Sequence, residues 1–301
     1  MNETVKRYDP KRIDYNKLFE SIKRPFMDWA AVNNAKRFIV AVSGGKDSTV
    51  VLNLTVKCFG ADKVRAVIIP NGEMKDLDIA KKVCENAGVS YSIVDIGKAF
   101  TSITEQIQHD ISQRVFTSIT EQIQHDLYRA GPLPSAITNN IPPRLRMATA
   151  YAIAQIFDGG RVINTSNLSE AFIGWTTMWG DNTGDYAPIA DLTCSEVIEL
   201  GKFMGIPSEF IEKTPSDGLC GKSDEDALGF TYAQLDEYIR TNKLDDYDAL
   251  RKIKARNTAS MFKRDAVHVK SPMGCSFCGV FSDIHQIIRE STCVDDSDDE
   301  E

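Results

Sequence analysis

Apolar residues recur at helical spacing between positions 14 and 34, where Leu18, Ile22, Phe26, Trp29, Ala30 and Val32 fall close to one stripe. That period predicts a helix leading into the first strand. The strand lies within 36–42 and contains the unbroken apolar run Phe38-Ile39-Val40-Ala41-Val42. A short, β-branched run of this kind suits a strand buried on both faces. A glycine turn and a helix over about 47–59 follow, then a strand at 64–70, a helix at 75–88 and a shorter strand at 92–96. Strands alternating with helices predict the α/β class, with a Rossmann-like, doubly wound parallel sheet flanked by helices.

The rhythm breaks over 98–130. The eleven residues from Phe100 to Asp110 recur letter for letter from Phe116 to Asp126. Solenoids need several diverged copies, so a local tandem duplication is the simpler account. A shift of sixteen positions turns a helix by about 160° beyond whole turns. Ile103 and Ile107 would then face away from Ile119 and Ile123 in one unbroken helix. Leaving two isoleucines in water forgoes up to roughly 1.5–3 kcal/mol each. A break between 108 and 116 is therefore expected, with one copy surplus and one more mobile than the other.

Regular patterns resume with a helix from Asn140-Ile-Pro-Pro to about 157, its prolines placed in the first turn. A strand at 161–165, a Gly/Asn/Asp/Trp-rich loop at 174–185 and a helix at 195–204 come next. A loop at 216–226 precedes two polar helices at 232–240 and 247–262. The whole reads as one domain over 1–290, followed by an acidic tail at 291–301 expected to be disordered.

Charge narrows the class. The net charge is −8, but six acids lie in the last seven residues, and the rest is nearly neutral. No basic face for nucleic acid is visible in the composition. No apolar run approaches a membrane span, and the polar N-terminus is no secretory signal. Seven scattered cysteines then read as reduced thiols in a cytoplasmic protein.

The chemistry concentrates at Ser43-Gly44-Gly45-Lys46-Asp47-Ser48, between the first strand and its helix. A helix start offers unpaired N–H groups and a positive dipole end to phosphate oxygens. Two glycines let the backbone approach without a Cβ. Ser43 and Ser48 can donate hydroxyls, and Asp47 is a carboxylate suited to Mg²⁺ bridging phosphates. A capped Gly-Gly turn is the plainer reading, but the flanking strand and helix favour the phosphate site.

This loop resembles the pyrophosphate loop of N-type ATP pyrophosphatases, with their adenine nucleotide α-hydrolase-like fold. Three further stretches are similar to the ammonia-dependent NAD synthetase family. They are Pro70-Asn-Gly-Glu-Met-Lys-Asp76-Leu-Asp78, Asn140-Ile-Pro-Pro-Arg144-Leu-Arg146-Met147, and Asn164-Thr165-Ser-Asn-Leu-Ser-Glu170 with Gly174, Gly180-Asp181 and Gly184-Asp185. The resemblance implies adenylation of deamido-NAD by ATP, release of pyrophosphate, and attack by ammonia to give NAD and AMP. It implies that Asp47 and Glu170 hold Mg²⁺ and are catalytic. Ser43, Gly44, Gly45, Lys46, Asp47, Ser48, Thr165 and Ser216 would bind ATP or pyrophosphate. Arg144, Asp185 and Lys263 would contact deamido-NAD, and Lys213-Thr-Pro-Ser216-Asp217 resembles the family's mobile ATP loop. A homodimer is implied, with the helix beginning near Pro142 in its contact. Only about 35 residues precede the first strand, so free ammonia or a separate glutaminase subunit is expected to supply nitrogen.

Three positions depart from the family: Ile68 stands where arginine is frequent, and Met178 and Cys194 where lysine is common. Lys46, at a position usually uncharged, is a candidate replacement for the missing charge. Cys275-Ser-Phe-Cys278 is half a zinc site without a second pair. It keeps a tRNA-modifying thiolase of the same superfamily as the alternative, beside a catalytically dead nucleotide-binding relative.

Overall fold

The computed structural model describes residues 8–114, 133–212 and 224–265. Ser216, the second copy at 116–126, Cys275, Cys278 and the acidic tail lie outside the described residues.

The elements in chain order are α1 (Tyr15–Val32), β1 (Arg37–Ala41), α2 (Lys46–Phe59), β2 (Val64–Ile68), α3 (Leu77–Asn86), β3 (Tyr91–Ile93) and α4 (Gly97–Arg114). There follow α5 (Ser135–Ala154), β4 (Gly160–Ile163), α6 (Leu168–Phe172), α7 (Cys194–Phe203) and α8 (Ser208–Ile211). The chain continues through α9 (Asp224–Leu228), α10 (Tyr232–Thr241), α11 (Tyr247–Ala259) and α12 (Met261–Asp265).

All strand pairs are parallel, in the order β3-β2-β1-β4. Along β1 the side chains alternate between two cores. Phe38 and Val40 join α1 and α2 on one face, while Ile39 packs with Ala150 and Ala154 of α5 on the other. Both faces are dry, as the unbroken apolar run requires. Tyr186, joined to Ile163 by a single parallel bridge, stacks on Phe26 at 4.5 Å and ties α1 to the edge beyond β4. A separate core gathers Cys194, Tyr232, Leu235 and Ile253, so α7, α10 and α11 form a buttress. Among the described residues no helix is long and apolar enough to cross a membrane.

Three expectations need correction. The helix expected from Asn140 begins at Ser135, so Pro142 and Pro143 lie inside it. Proline's φ is helical, and the carbonyls that lose their N–H partners belong to half-buried Thr138 and exposed Asn139, within reach of water. The loop expected to reach Asp226 gives way to a short helix from Asp224. Finally, α4 is unbroken to Arg114, so no break lies between 108 and 114. The premise fails there: Ile103 is 36% exposed and Thr104 is the buried residue, so burial of the isoleucines does not force a kink.

Candidate active site

The strand order reverses between β1 and β4, and the carboxyl ends of those two strands open the crevice where doubly wound sheets place ligands. The loop 43–48 leaves β1 at that point. Ser43 Oγ accepts from Gly45 N at 3.2 Å and lies 3.1 Å from Ser48 Oγ, while Ser48 Oγ donates to the Gly45 carbonyl at 3.1 Å. The hydroxyls thus close the loop on itself. The helix cap, Gly45, makes no side-chain cap bond to α2, so the helix start keeps N–H groups for an anion. Gly44 takes φ +81°, and a Cβ there would come within 3.1 Å of the Asp76 carbonyl and 3.3 Å of Ala80 N. The loop is seated directly on the start of α3.

Asp47 opens α2 and Glu170 lies in α6, just beyond β4. Asn167 joins them. Its Nδ2 donates to Asp47 Oδ1 at 3.0 Å, and its Oδ1 accepts from Glu170 N at 3.0 Å, capping α6. Sequence reasoning missed this residue, although Asn three positions before Glu is a helix-start pattern. The Glu170 carboxyl is pushed up to about 8, first by burial and then by Asp47, with Lys46 opposing and Asp181 and Asp224 adding.

Lys46 turns inward. It is 6% exposed, its Nζ lies 2.8 Å from Asp47 Oδ2, and the ammonium sits 5.7 Å from the centre of the Tyr232 ring. Burial pulls its pKa down, but Asp47, Cys194 and Glu170 outweigh that and hold the ammonium charged. At Cys194 burial pushes the thiol up against the pull of Lys46. Lys46 therefore places a positive charge in the neighbourhood of Cys194. Ile68 is fully buried at the end of β2 and contributes core rather than charge.

The other assigned residues spread around the crevice. Thr165 lies half-buried just past β4. Exposed Arg144 donates through Nε to the Met178 carbonyl at 3.2 Å, linking α5 to the Gly-rich loop. Asp185 accepts from Val162 N at 2.7 Å and from the Tyr151 hydroxyl at 3.4 Å, an edge-strand contact. Lys263 donates to the carbonyls of Gly174 and Thr176 at 2.8 and 2.6 Å, pinning the start of that loop. Asp181, unassigned from sequence, accepts from Thr177 N at 2.7 Å, and burial pushes its carboxyl up.

A divalent cation fits the donors present. The donors are carboxylate oxygens, and relief of the repulsion between Asp47 and Glu170 is what a dication would supply. Among the described residues no group of three or more metal-binding side chains occurs. Two carboxylates completed by water and phosphate are the usual provision for Mg²⁺.

Comparison with known proteins agrees with this geometry. Residues 18–272 match the family model described as NAD synthase. The NH(3)-dependent NAD(+) synthetase of Pyrococcus furiosus is 35% identical over 222 residues, covering 73% of this chain and 77% of that protein. The protein of the same name from Methanocaldococcus jannaschii is 37% identical over 69% of this chain and 73% of its own. Among solved structures, NMN synthetase from Francisella tularensis matches with a TM-score of 0.70 at 28% identity, over 87% of this chain and 99% of that one. An ATP-using phosphate loop at the switch point of a parallel sheet, together with these matches, places the chain in the NAD synthase family.

Proposed function

We propose that this protein amidates deamido-NAD with ammonia, consuming ATP and releasing AMP and pyrophosphate. The observation that carries the reading is the Asn167 bridge, which draws Asp47 from the β1 loop and Glu170 from the β4 loop to one phosphate-binding helix start. The nicotinate carboxylate oxygen attacks the α-phosphorus, and the bond to the β-phosphate bridging oxygen breaks. Ammonia nitrogen then attacks the acyl carbon, AMP departs with the bonding pair, and the surplus proton passes to solvent. The α2 N–H groups and the hydroxyls of Ser43 and Ser48 hold the leaving pyrophosphate, with Gly44 and Gly45 allowing close approach. Asp47 and Glu170 hold Mg²⁺, which neutralises phosphate charge when bound. Lys46 places an ammonium against Asp47 and opposes the upward push on the Glu170 carboxyl. Thr165 and Ser216 complete the ATP contacts, and Arg144, Asp185 and Lys263 serve the dinucleotide side. Catalysis of this kind is chiefly positioning and charge neutralisation.

NAD formation from ATP, Mg²⁺ and deamido-NAD tests the reading, with ammonia compared with glutamine. Ammonia alone is expected to suffice. A second reading, in which the product is NMN, is favoured by the match to NMN synthetase from Francisella tularensis. Running the mononucleotide acid in parallel decides between them. The family match does not favour the thiolase alternative. AMP and pyrophosphate release that needs no deamido-NAD or mononucleotide acid would count against both amidation readings.

A cytoplasmic homodimer is part of the proposal. Asn139, Arg144, Ala148 and Ala152 of α5 are exposed and available to a partner copy. A sedimentation experiment showing only monomer at micromolar concentration would contradict the dimer.

A further inference from the structure

Glu170 sits on α6, a helix of five residues. So short a helix cannot hold its own direction, because its single turn barely offsets the cost of nucleation. Each residue turns by about 100°, so a modest rotation of α6 carries the Glu170 carboxylate away from Asp47. Something outside the helix must set that rotation. Asn167 does so at the capped end. The other hold is Ser169, beside Glu170 and fully buried.

Ser169 Oγ donates to Asp236 Oδ1 at 2.5 Å and accepts from Cys194 N at 2.9 Å. Asp236 Oδ2 accepts from both Ser195 N at 2.8 Å and Ser195 Oγ at 2.6 Å. One fully buried carboxylate on α10 thus fastens both α6 and the start of α7. Its neighbours along the helix at four-residue spacing act on the same region. Tyr232 presents its ring to the Lys46 ammonium, and Arg240 pairs with buried Glu196 at 2.5 Å. Residues four apart share a helix face. The stripe Tyr232-Asp236-Arg240 is therefore the surface on which the buttress meets the catalytic loops.

We propose that Asp236 is a positioning residue: through Ser169 it sets the rotation of α6 and so aims Glu170 at the metal held with Asp47. Asp236 itself touches neither substrate nor metal. The inference rests on the reading that Glu170 and Asp47 hold Mg²⁺.

The test uses the full chain with Asp236→Asn, Ser169→Ala and the double variant. Two quantities are measured: the rise in Tm on titrating Mg²⁺ alone, and the Mg²⁺ concentration for half-maximal amidation at saturating ATP. Partners that orient a metal ligand are worth about 10- to 100-fold in metal affinity or activity. Both single variants are expected to need about that much more Mg²⁺ in both assays. The KM for deamido-NAD should stay unchanged. The double variant should be no worse than the more impaired single one, since both changes break one linkage. A purely structural role lowers Tm without moving the Mg²⁺ midpoint. That result in folded Ser169→Ala or Asp236→Asn overturns the proposal, and Ser169→Ala alone decides if Asp236→Asn does not fold. Glu170→Gln serves as the control. If it leaves Mg²⁺ dependence unchanged, the metal reading itself fails. If it is impaired while the Ser169 and Asp236 variants match the wild type, only the positioning role fails.

Discussion

Lys46 Nζ lies 2.8 Å from Asp47 Oδ2, with side-chain exposures of 6% and 17%, so the phosphate loop carries its own internal cation against the proposed metal ligand. Removing one partner of a buried pair leaves the other charge uncompensated, at about 3–5 kcal/mol. Lys46→Met is expected to cost the metal-free protein about 3 kcal/mol. Mg²⁺ should then restore more Tm in the variant than in the wild type, because the dication replaces the lost ammonium beside Asp47. Thermal melts with and without Mg²⁺ check this, and equal stabilisation of both proteins contradicts it.

Asp47→Asn should abolish turnover in a chain that still folds, because it removes a charged ligand at the loop-to-helix junction. It should lower stability as well, since the buried Lys46 ammonium loses its nearest partner. Glu170→Gln should likewise abolish turnover. Retained kcat within about tenfold, roughly 1.4 kcal/mol of barrier, rejects the Mg²⁺ role of the residue concerned.

The elevated Glu170 carboxyl makes a statement about stability. Its value rises from 4.5 to about 8, through burial first and Asp47 second. The folded state therefore binds this proton more tightly than the unfolded chain. The resulting stability is fully present below about 4.5 and is lost as pH rises through about 8. Metal-free protein should lose Tm across that window, and Glu170→Gln should flatten the loss. Melting curves at several pH values with chelator present measure it, and an unchanged slope in the variant refutes the assignment.

Gly44→Ala meets two obstacles. The left-handed φ of +81° disfavours a side chain, by about 1–2 kcal/mol. The new methyl would also press on the backbone of Asp76 and Ala80, which begins α3 and cannot swing aside as a side chain would. A loss of about 1–2 kcal/mol or more in denaturant unfolding is expected, with weaker ATP binding. Wild-type stability and KM for ATP would show that the loop is not seated as described.

Much of the frame was legible in the sequence because its signals are local. An apolar β-branched run, two glycines and a helical stripe lie within about 25 residues, and β1, the phosphate loop and α2 follow from strand burial and helix-start chemistry. Family resemblance supplied Glu170. The tertiary structure decided what local pattern cannot carry. Lys46 could have faced solvent; in the fold it lies beside the Tyr232 ring and pairs with Asp47. Asn167 reaches Asp47 across 120 residues of chain, and Asp236 reaches Ser169 across 67. From sequence α10 read only as a polar helix, and its Tyr232, Asp236 and Arg240 drew no notice until the fold gave each a partner. A hydrogen bond needs two groups within about 3 Å, and periodicity orients only one of them. The other is brought there by the fold.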